Sequence, residues 1–439
     1  MGAPALELEP IGPVRARLEA PASKSVTNRM LVCAALAEGT SLLRRPLDSD
    51  DSAAMRSALE RLGAGVREAG DGWRVEGTAG KPASPAAPLD ARASGTTMRF
   101  LVAVATLAAG PVTVSGRPGL LARPVGPLVA ALRQLGARLE DHHGFPPVTV
   151  AGGGLRGGEV TVDAAASSQF ASAVLLAAPY AAAPVTLRAG GLGAPGYVEL
   201  TAEVMRGFGA SVRRLGGSTW RVGAGVPYRA VEAEVDYDAS AAAHLFALAA
   251  ATGGTVTVTN ALHGRGQPDA RLPELLAAMG AVVERDGAAL TVRGPERLAP
   301  LDADLGPMPD QVTTVAALAA LADGRSRLRN VEVARGHETD RLSALATELA
   351  KLGVRVEQLP DGLIVHGGAP KGPALLRTHD DHRLAMAFAA IAARVPGVAI
   401  ADPACVAKTY PRFWDDLAGA GLHSRAGAPR RSSAREAPR

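Results

Sequence analysis

Six short polar clusters recur along the chain, and each combines side chains that could bind an anion. Any single cluster is explained by helix capping alone, since Ser, Thr and Asp are common N-cap residues. Three clusters also carry Arg or Lys in the first turn, where a cation opposes the helix dipole unless an anion lies nearby. Free backbone N–H groups, hydroxyls and cations together bind phosphate or carboxylate. The set therefore predicts a cleft for substrates with several anionic groups. In chain order the clusters are SKSVTNR (23–29), SGTTMR (94–99), SSQ (167–169), DASAAAH (238–244), MPDQVTT (308–314) and DDHR (380–383).

Further charged residues occur in the segments between these clusters. Glu338 and Arg341 in the run HETDR are three residues apart, which also fits an ordinary surface ion pair. Arg greatly outnumbers Lys in this chain, so Lys24 and Lys408 inside motifs indicate a need for a compact ammonium group. We find no Gly-x-Gly-x-x-Gly or Walker-type loop and no His, Cys and Asp spacing typical of a metal site, so we expect no metal and no cofactor. The other charged positions of this kind are Arg123, Arg265 and Asp269.

A repeated phrase predicts the elements that hold these residues: a helical stretch, then Gly, then an alternating strand. The glycine is the expected left-handed helix terminator, and the alternation after it predicts strands. A second apolar helix and a β-branched strand come earlier in each unit, so a unit reads helix–strand–helix–strand–strand. The glycines lie 73, 73, 71, 73 and 68 residues apart, at Gly63, Gly136, Gly209, Gly280, Gly353 and Gly421.

Six such units predict an α/β (α+β) protein with two similar domains of three units each. We place the boundary near residues 236–240 and expect the N-terminal strand to cross back to the second half. The predicted domains are residues 22–237 and residues 1–21 with 238–423, followed by a disordered basic tail at 424–439.

Composition excludes several classes of protein. No apolar run approaches the roughly 18–20 residues of a membrane span, and the N-terminus lacks the features of a signal peptide. Two cysteines without paired spacing fit a reducing cytoplasm. The net charge of +4 equals that of the tail, which has five Arg and one Glu. With only 3% aromatic residues and a neutral body, the chain is not expected to bind nucleic acid.

The motifs PASKSVTNR, SGTTMRFL, SSQFASAVLLAAPY, RGHETDRL and DDHRLAMAF occur in this order and cover nearly the whole chain except the tail. With them the chain resembles the EPSP synthase (3-phosphoshikimate 1-carboxyvinyltransferase) family of enolpyruvyl transferases. The resemblance implies two domains of three βαβαββ units, the inside-out α/β barrel of that family. It also implies transfer of enolpyruvate from phosphoenolpyruvate to the 5-hydroxyl of 3-phosphoshikimate, without a cofactor, by a cytoplasmic protein that we expect to be a monomer.

The resemblance also implies site residues. Asp310 is the implied base for the 5-hydroxyl, and Glu338 the group that protonates and deprotonates the methylene carbon of phosphoenolpyruvate; Lys24 and His382 complete the catalytic set. We further expect that a closed site raises the pKa of Glu338 so that it can act as an acid. The implied 3-phosphoshikimate ligands are Lys24, Ser25, Arg29, Ser167, Ser168, Gln169, Tyr197, Asp310 and His337. The implied phosphoenolpyruvate ligands are Lys24, Gly95, Arg123, Gln169, Arg341, Arg383 and Lys408.

Four positions depart from the commonest family pattern: Ala93, Ala194, Val333 and His337. His337 stands where many members have Lys, and its charge depends on pH, which suggests a pH-sensitive grip on 3-phosphoshikimate. The rival is the sister family that uses UDP-N-acetylglucosamine as acceptor; it has a Cys in the loop that corresponds to residues 115–126, and this chain has none there. Gly95 leaves the space that the herbicide glyphosate needs, so we expect sensitivity to it.

Overall fold

The structure is a computed structural model, and it describes residues 5–193, 195–262 and 266–425. The α-helices within these ranges are α1 (Lys24–Leu36), α2 (Asp50–Arg61), α3 (Gly95–Ala105), α4 (Pro118–Leu121), α5 (Gly126–Gln134), α6 (Ser168–Ala177), α7 (Gly196–Gly207), α8 (Ala239–Thr252), α9 (Leu272–Ala278), α10 (Val312–Leu321), α11 (Arg341–Ala350), α12 (His382–Ala392) and α13 (Phe413–Gly419). Short 3-10 helices are Ala178–Tyr180, Pro268–Arg271, Pro309–Gln311, Glu332–Gly336 and Pro403–Lys408.

The strands are short. They are β1 (Ala5–Glu7), β2 (Arg15–Leu18), β3 (Thr40–Arg44), β4 (Gly65–Ala69), β5 (Gly72–Glu76), β6 (Leu89–Asp90), β7 (Val112–Ser115), β8 (Leu139–His142), β9 (Phe145–Val150), β10 (Gly158–Asp163), β11 (Val185–Gly190), β12 (Val212–Gly216), β13 (Thr219–Val222), β14 (Glu232–Glu234), β15 (Thr255–Val258), β16 (Val282–Asp286), β17 (Ala289–Arg293), β18 (Asp302–Asp304), β19 (Arg325–Arg329), β20 (Arg355–Leu359), β21 (Gly362–His366), β22 (Ala374–Leu376) and β23 (Val398–Ala401).

The predicted repeat of helix, strand, helix, strand and strand is confirmed. In the first unit α1, β3, α2, β4 and β5 follow one another, and the fifth unit repeats this order with α10, β19, α11, β20 and β21. In the first unit β3 pairs antiparallel with β5 and parallel with β14. In the fifth unit β19 pairs antiparallel with β21 and parallel with β18. β14 and β18 both lie outside the five elements of the unit that they join. The result is a set of small mixed sheets.

The second helix of each unit ends at the glycine that the sequence predicts. All six glycines have left-handed backbone, with φ of 98° at Gly63, 92° at Gly136, 85° at Gly209, 99° at Gly280, 78° at Gly353 and 93° at Gly421. A side chain at these positions would be strained, because L-residues rarely adopt this conformation.

The buried apolar side chains form two clusters. All side chains of the first core come from one stretch of the chain, from Val26 to Val235. The second core combines Leu8, Val14 and Ala20 with side chains from Tyr237 to Leu422.

The chain passes between the two cores at two segments that lie side by side. Ser23 N donates to Asp236 O at 2.7 Å, and Asp238 N donates to Pro21 O at 2.7 Å. Two strands are exchanged as a consequence. β2 precedes α1 of the first core but pairs with β15 in the second core, and β14 precedes α8 of the second core but pairs with β3 in the first. These crossover segments lead directly into α1 and α8.

Within the described ranges no helix combines the length and the apolar character that crossing a membrane requires.

Candidate active site

The six polar clusters all lie at helix N-termini. Ser23, Ser94, Ser167, Asp238 and Asp381 are N-caps whose side chains accept from backbone N–H groups of α1, α3, α6, α8 and α12. The fifth cluster forms the 3-10 helix that precedes α10. Because helix N-termini carry partial positive charge, the shared placement favours anion binding.

A cavity of about 450 Å³ lies among these helix starts, and both cores line it. The first core contributes residues from α1, α3, α6 and α7, and the second contributes residues from the segments before α10 and α11 and from the first turn of α12. From the sequence-derived site the cavity is lined by Lys24, Ser25, Arg29, Gly95, Arg123, Ser167, Ser168, Gln169, Tyr197, Asp310, His337, Glu338, His382 and Arg383.

On the first core, cations are held at the cavity wall by buried partners. Lys24 Nζ lies 3.2 Å from Asp51 Oδ2. Arg29 is buried and donates to Thr201 Oγ1 at 2.7 Å and to Ser25 O at 2.9 Å. Burial lowers the pKa of Arg29 to about 10, so the guanidinium remains charged at neutral pH.

Two further arginines, Arg99 and Arg123, lie near the start of α3. Arg99 donates to Gln169 Oε1 at 2.6 Å and to Ser167 Oγ at 3.3 Å, which fixes the amide of Gln169. Burial, with Arg123 nearby, lowers the pKa of Arg99 to about 9. Arg123 lies against Gly95 so closely that an added Cβ there would be 2.9 Å from Arg123 Nη1.

On the second core, Arg341 is the centre of a buried ion network. Its side chain is 1% exposed and its Nε lies 2.7 Å from Asp381 Oδ2. The terminal nitrogens donate to Asp310 Oδ1 at 2.7 Å and to Glu338 Oε2 at 2.9 Å. Burial opposes the charge of Arg341, but the three carboxylates outweigh it and raise its pKa. The Glu338–Arg341 pair is thus part of the site and not a surface pair.

Glu338 also accepts from Lys408, whose Nζ lies 3.0 Å from Glu338 Oε1. Burial raises the pKa of Glu338, but Lys408, Arg341 and Arg123 together outweigh burial and hold it well below its usual range. Glu338 is thus ionised in this structure, and the rise in its pKa that we expect in a closed site stays a prediction.

Asp310 lies between two arginines. Arg341 Nη1 contacts Oδ1 at 2.7 Å, and Arg383 Nη2 contacts Oδ2 at 3.0 Å. Burial raises the pKa of Asp310, whereas Arg383, His337 and Arg341 lower it, and the net result is well below the usual range. Asp310 is consequently an ionised carboxylate, as a base must be.

Two histidines complete this wall. His337 Nδ1 lies 2.9 Å from Arg341 Nη1 and 3.3 Å from Asp310 Oδ1. His382 is buried, and among the described residues neither ring nitrogen has a hydrogen-bond partner. Burial holds the pKa of His382 well below its usual range, so the ring is neutral.

Sequence reasoning missed several residues at this site. Arg99 stands inside the predicted cluster SGTTMR, and its place in the first turn was a usable signal. Asp51 and Asp381 were overlooked as partners of Lys24 and Arg341, because an N-terminal Asp reads as a cap. Asp269 stood out only as a loop charge. Arg265, Ala194 and residues 426–439 of the predicted tail lie outside the described residues.

The arrangement can bind two anions and transfer protons to and from them. Cations from both cores face the cavity, and two ionised carboxylates, Asp310 and Glu338, share those of the second core. Across the described part of the chain, no group of three or more His, Cys, Asp or Glu side chains is arranged to hold a metal ion.

Comparison with known proteins gives one answer. The sequence profile of the family EPSP synthase (3-phosphoshikimate 1-carboxyvinyltransferase) matches residues 8–417. A 3-phosphoshikimate 1-carboxyvinyltransferase from Methanosphaerula palustris is 41% identical over 421 residues, which are 94% of this chain and 99% of the relative. One from Syntrophobacter fumaroxidans is 42% identical over 93% of this chain and 97% of its own length.

Solved structures share the fold. EPSP synthase from Acinetobacter baumannii superposes with a TM-score of 0.80 at 25% identity, over 96% of this chain and 99% of that one. The enolpyruvyl transferase NikO from Streptomyces tendae also gives 0.80, at 20% identity, over 97% of this chain and 99% of its own. The predicted enolpyruvyl transferase fold is confirmed, and the likeness to NikO concerns the fold alone.

Proposed function

The chain belongs to the EPSP synthase (3-phosphoshikimate 1-carboxyvinyltransferase) family, and from this premise we propose how its own residues divide the reaction. The enzyme transfers the enolpyruvyl group of phosphoenolpyruvate to the 5-hydroxyl of 3-phosphoshikimate and releases phosphate, a step of aromatic amino acid biosynthesis through chorismate. What remains to be tested is the role of each residue.

The first core holds 3-phosphoshikimate. Arg29 and the hydroxyls at the start of α6 supply one cation and several donors on one wall of the cavity, which suits a phosphate and a polyol. Tyr197 adds a phenol from the start of α7. His337 and Asp310 reach the same ligand from the second core. The full proposed set is Lys24, Ser25, Arg29, Ser167, Ser168, Gln169, Tyr197, Asp310 and His337.

Phosphoenolpyruvate lies between the cores. Lys24, Arg123 and Lys408 neutralise its phosphate, and Arg341 with Arg383 binds its carboxylate. Gln169 contacts both substrates, and the lack of a side chain at Gly95 leaves room for the guanidinium of Arg123. Glyphosate is expected to compete for this site.

Asp310 and Glu338 carry the proposed proton transfers. Asp310 removes the proton of the 5-hydroxyl while that oxygen attacks C2 of phosphoenolpyruvate, and Glu338 gives a proton to C3. Glu338 then takes a proton back from the new methyl group as the C2–O bond to phosphate breaks. Lys24 and the neutral His382 complete the proposed catalytic set.

Glu338 acquires its proton through substrate binding. In the free enzyme Lys408, Arg341 and Arg123 hold it ionised. The phosphate and carboxylate of phosphoenolpyruvate take over these cations, and the burial of Glu338 then dominates and raises its pKa. The observation that carries the assignment is the position of Glu338 between Lys408 and Arg341, 3.0 and 2.9 Å away.

Phosphate release tests the assignment. The wild-type protein should release phosphate from phosphoenolpyruvate with 3-phosphoshikimate and not with UDP-N-acetylglucosamine, the acceptor of the sister family. Glu338→Gln should fold and bind both substrates but release phosphate at least about 100-fold more slowly, the lower range for loss of a proton-transferring group. No release with 3-phosphoshikimate by the wild-type protein would refute the function.

We also propose that residues 22–237 form one domain and residues 1–21 with 238–423 the other, and that they close over the substrates. Support comes from the two apolar cores and the paired crossover segments. The enzyme is further proposed to be a cytoplasmic monomer, in keeping with its two free thiols. Small-angle scattering with and without 3-phosphoshikimate tests closure, and an unchanged radius of gyration would count against it; light scattering tests the monomer.

A further inference from the structure

One buried carboxylate at the cleft has no part in the mechanism above. Asp269 lies in the 3-10 helix Pro268–Arg271, and its side chain is shielded from solvent. Burying an ionised carboxylate is costly unless partners compensate. Its position therefore calls for a reason.

Two side chains of the second core fix Asp269. Ser240 Oγ donates to Oδ2, and Gln311 Nε2 donates to the same oxygen at 2.9 Å. Ser240 belongs to the cluster DASAAAH, the only one of the six to which the sequence assigns no ligand. Gln311 directly follows the proposed base Asp310. Oδ1 has no partner among the residues that the structure describes.

On its other side Asp269 lies near Arg383 and Tyr197, two residues that we propose bind the substrates. Arg383 Nη1 lies 4.0 Å from Asp269 Oδ2, while Arg383 Nη2 contacts Asp310 at 3.0 Å. Tyr197 OH, from the first core, lies 3.5 Å from Asp269 Oδ2. Burial raises the pKa of Tyr197 well above its usual value, with a contribution from Asp269, so the phenol stays protonated and can donate.

We propose that Asp269 is a positioning residue that holds Tyr197 of the first core and Arg383 of the second in register, so that each substrate site forms only when the other does. The proposal rests on the function proposed above. When Asp310 turns to the 5-hydroxyl of 3-phosphoshikimate, Arg383 loses that carboxylate as a partner. Asp269 remains beside it and keeps the guanidinium directed at the carboxylate of phosphoenolpyruvate.

The variant Asp269→Asn keeps the shape of the side chain and removes its charge. We expect KM to rise about tenfold for both substrates, the loss expected when a hydrogen bond to a charged group is removed. A purely structural role predicts the opposite pattern: fewer folded molecules lower kcat and leave both KM values unchanged. Steady-state kinetics on the wild type and the variant separate the two.

Asp416→Asn is the matched control. Asp416 also accepts from a tyrosine, Tyr410 OH at 2.8 Å, and from Arg412 at 3.1 Å, but it lies on α13 away from the cavity. Its variant should lower the melting temperature and leave both KM values within twofold of wild type. KM values within twofold of wild type in Asp269→Asn would overturn the proposal, whatever happens to kcat.

A double-mutant cycle tests the link between the cores. If Asp269 acts through the phenol, Tyr197→Phe should raise KM for 3-phosphoshikimate less in the Asp269→Asn background than in wild type. Fully multiplicative effects would refute the link. Should Asp269→Asn fail to fold, Ser240→Ala replaces it: a rise of about threefold in both KM values supports the proposal, and unchanged values reject it. A wild-type protein without phosphate release would instead refute the function itself.

Discussion

Replacing Gly95 with Ala should damage phosphoenolpyruvate binding while leaving the fold intact. Gly95 is the first residue of α3, and its backbone has an ordinary negative φ. Ala is the better helix former by about 1 kcal/mol. The new methyl carbon would lie 2.9 Å from Arg123 Nη1, 3.1 Å from Cζ and 3.3 Å from Nη2.

These contacts are all shorter than ordinary van der Waals distance, and the guanidinium must move away. Arg123 is the far end of a flexible side chain, so its displacement costs the fold little. The displaced guanidinium should then lose a hydrogen bond to the phosphate of phosphoenolpyruvate. Loss of one hydrogen bond between charged groups costs about 1.5–3 kcal/mol. At about 1.4 kcal/mol for each factor of ten, KM for phosphoenolpyruvate should rise about ten- to a hundredfold.

Steady-state phosphate release and thermal unfolding together test this reasoning. KM for 3-phosphoshikimate should stay within about threefold, since we propose that Arg29 and the start of α6 bind its phosphate, and the melting temperature should not fall. Gly119→Ala in α4 is the control, because a Cβ there meets nothing within 4 Å. A Gly95→Ala enzyme whose KM for phosphoenolpyruvate lies within twofold of wild type would show that Arg123 does not bind the phosphate as proposed.

Three further experiments examine the charges. Binding of phosphoenolpyruvate to the complex with 3-phosphoshikimate should take up a proton at Glu338, seen by titration calorimetry in buffers of different ionisation enthalpy; equal uptake by Glu338→Gln would contradict the assignment. Arg341→Met leaves the fully buried Asp381 without its cation and should lower the free energy of unfolding by about 3–5 kcal/mol, part of which Asp381→Asn should restore; a loss below about 1 kcal/mol in urea unfolding would refute the network. Burial lowers the pKa of His244 to about 3. The stability that depends on its neutral ring is therefore complete above the unfolded-state pKa near 6.5 and declines as the pH falls towards 3. About 2 kcal/mol of the free energy of unfolding should be lost between pH 7 and 5. His244→Gln should lose correspondingly less over that range, and an identical pH dependence would argue against a neutral buried ring.

The regular parts of the fold could be predicted from the sequence because local physics determines them. Gly63 and its five equivalents mark helix ends by their left-handed backbone, and Ser23 and Ser94 mark helix starts by capping. A spacing of about 70 residues between equivalent signals then identifies the repeat. The motif resemblance supplied the side chains that face the cavity.

The charge states at the site could not be predicted in the same way. They depend on distances between residues far apart in sequence, such as Arg341 and Asp381 or Asp269 and Arg383. Glu338 illustrates the point: burial alone would raise its pKa, and the positions of Lys408, Arg341 and Arg123 around it reverse the sign. Asp269 had no motif at all, and its role becomes visible only where Tyr197 of the other core meets it.

The exchanged strands determine when parts of the fold can form while the chain is being synthesised. β2 leaves the ribosome long before its partner β15, since the neighbouring contact of Asn260 Nδ2 with Ala20 O spans 240 residues. The sheet of β3, β4 and β5 likewise lacks its last strand until β14 has been made. Since chains grow at about 5–20 residues per second, β2 stays without its partner for on the order of ten seconds or more. β2 thus finds its place only after the chain of the first core has been made, and the nascent chain must keep it from pairing elsewhere until then.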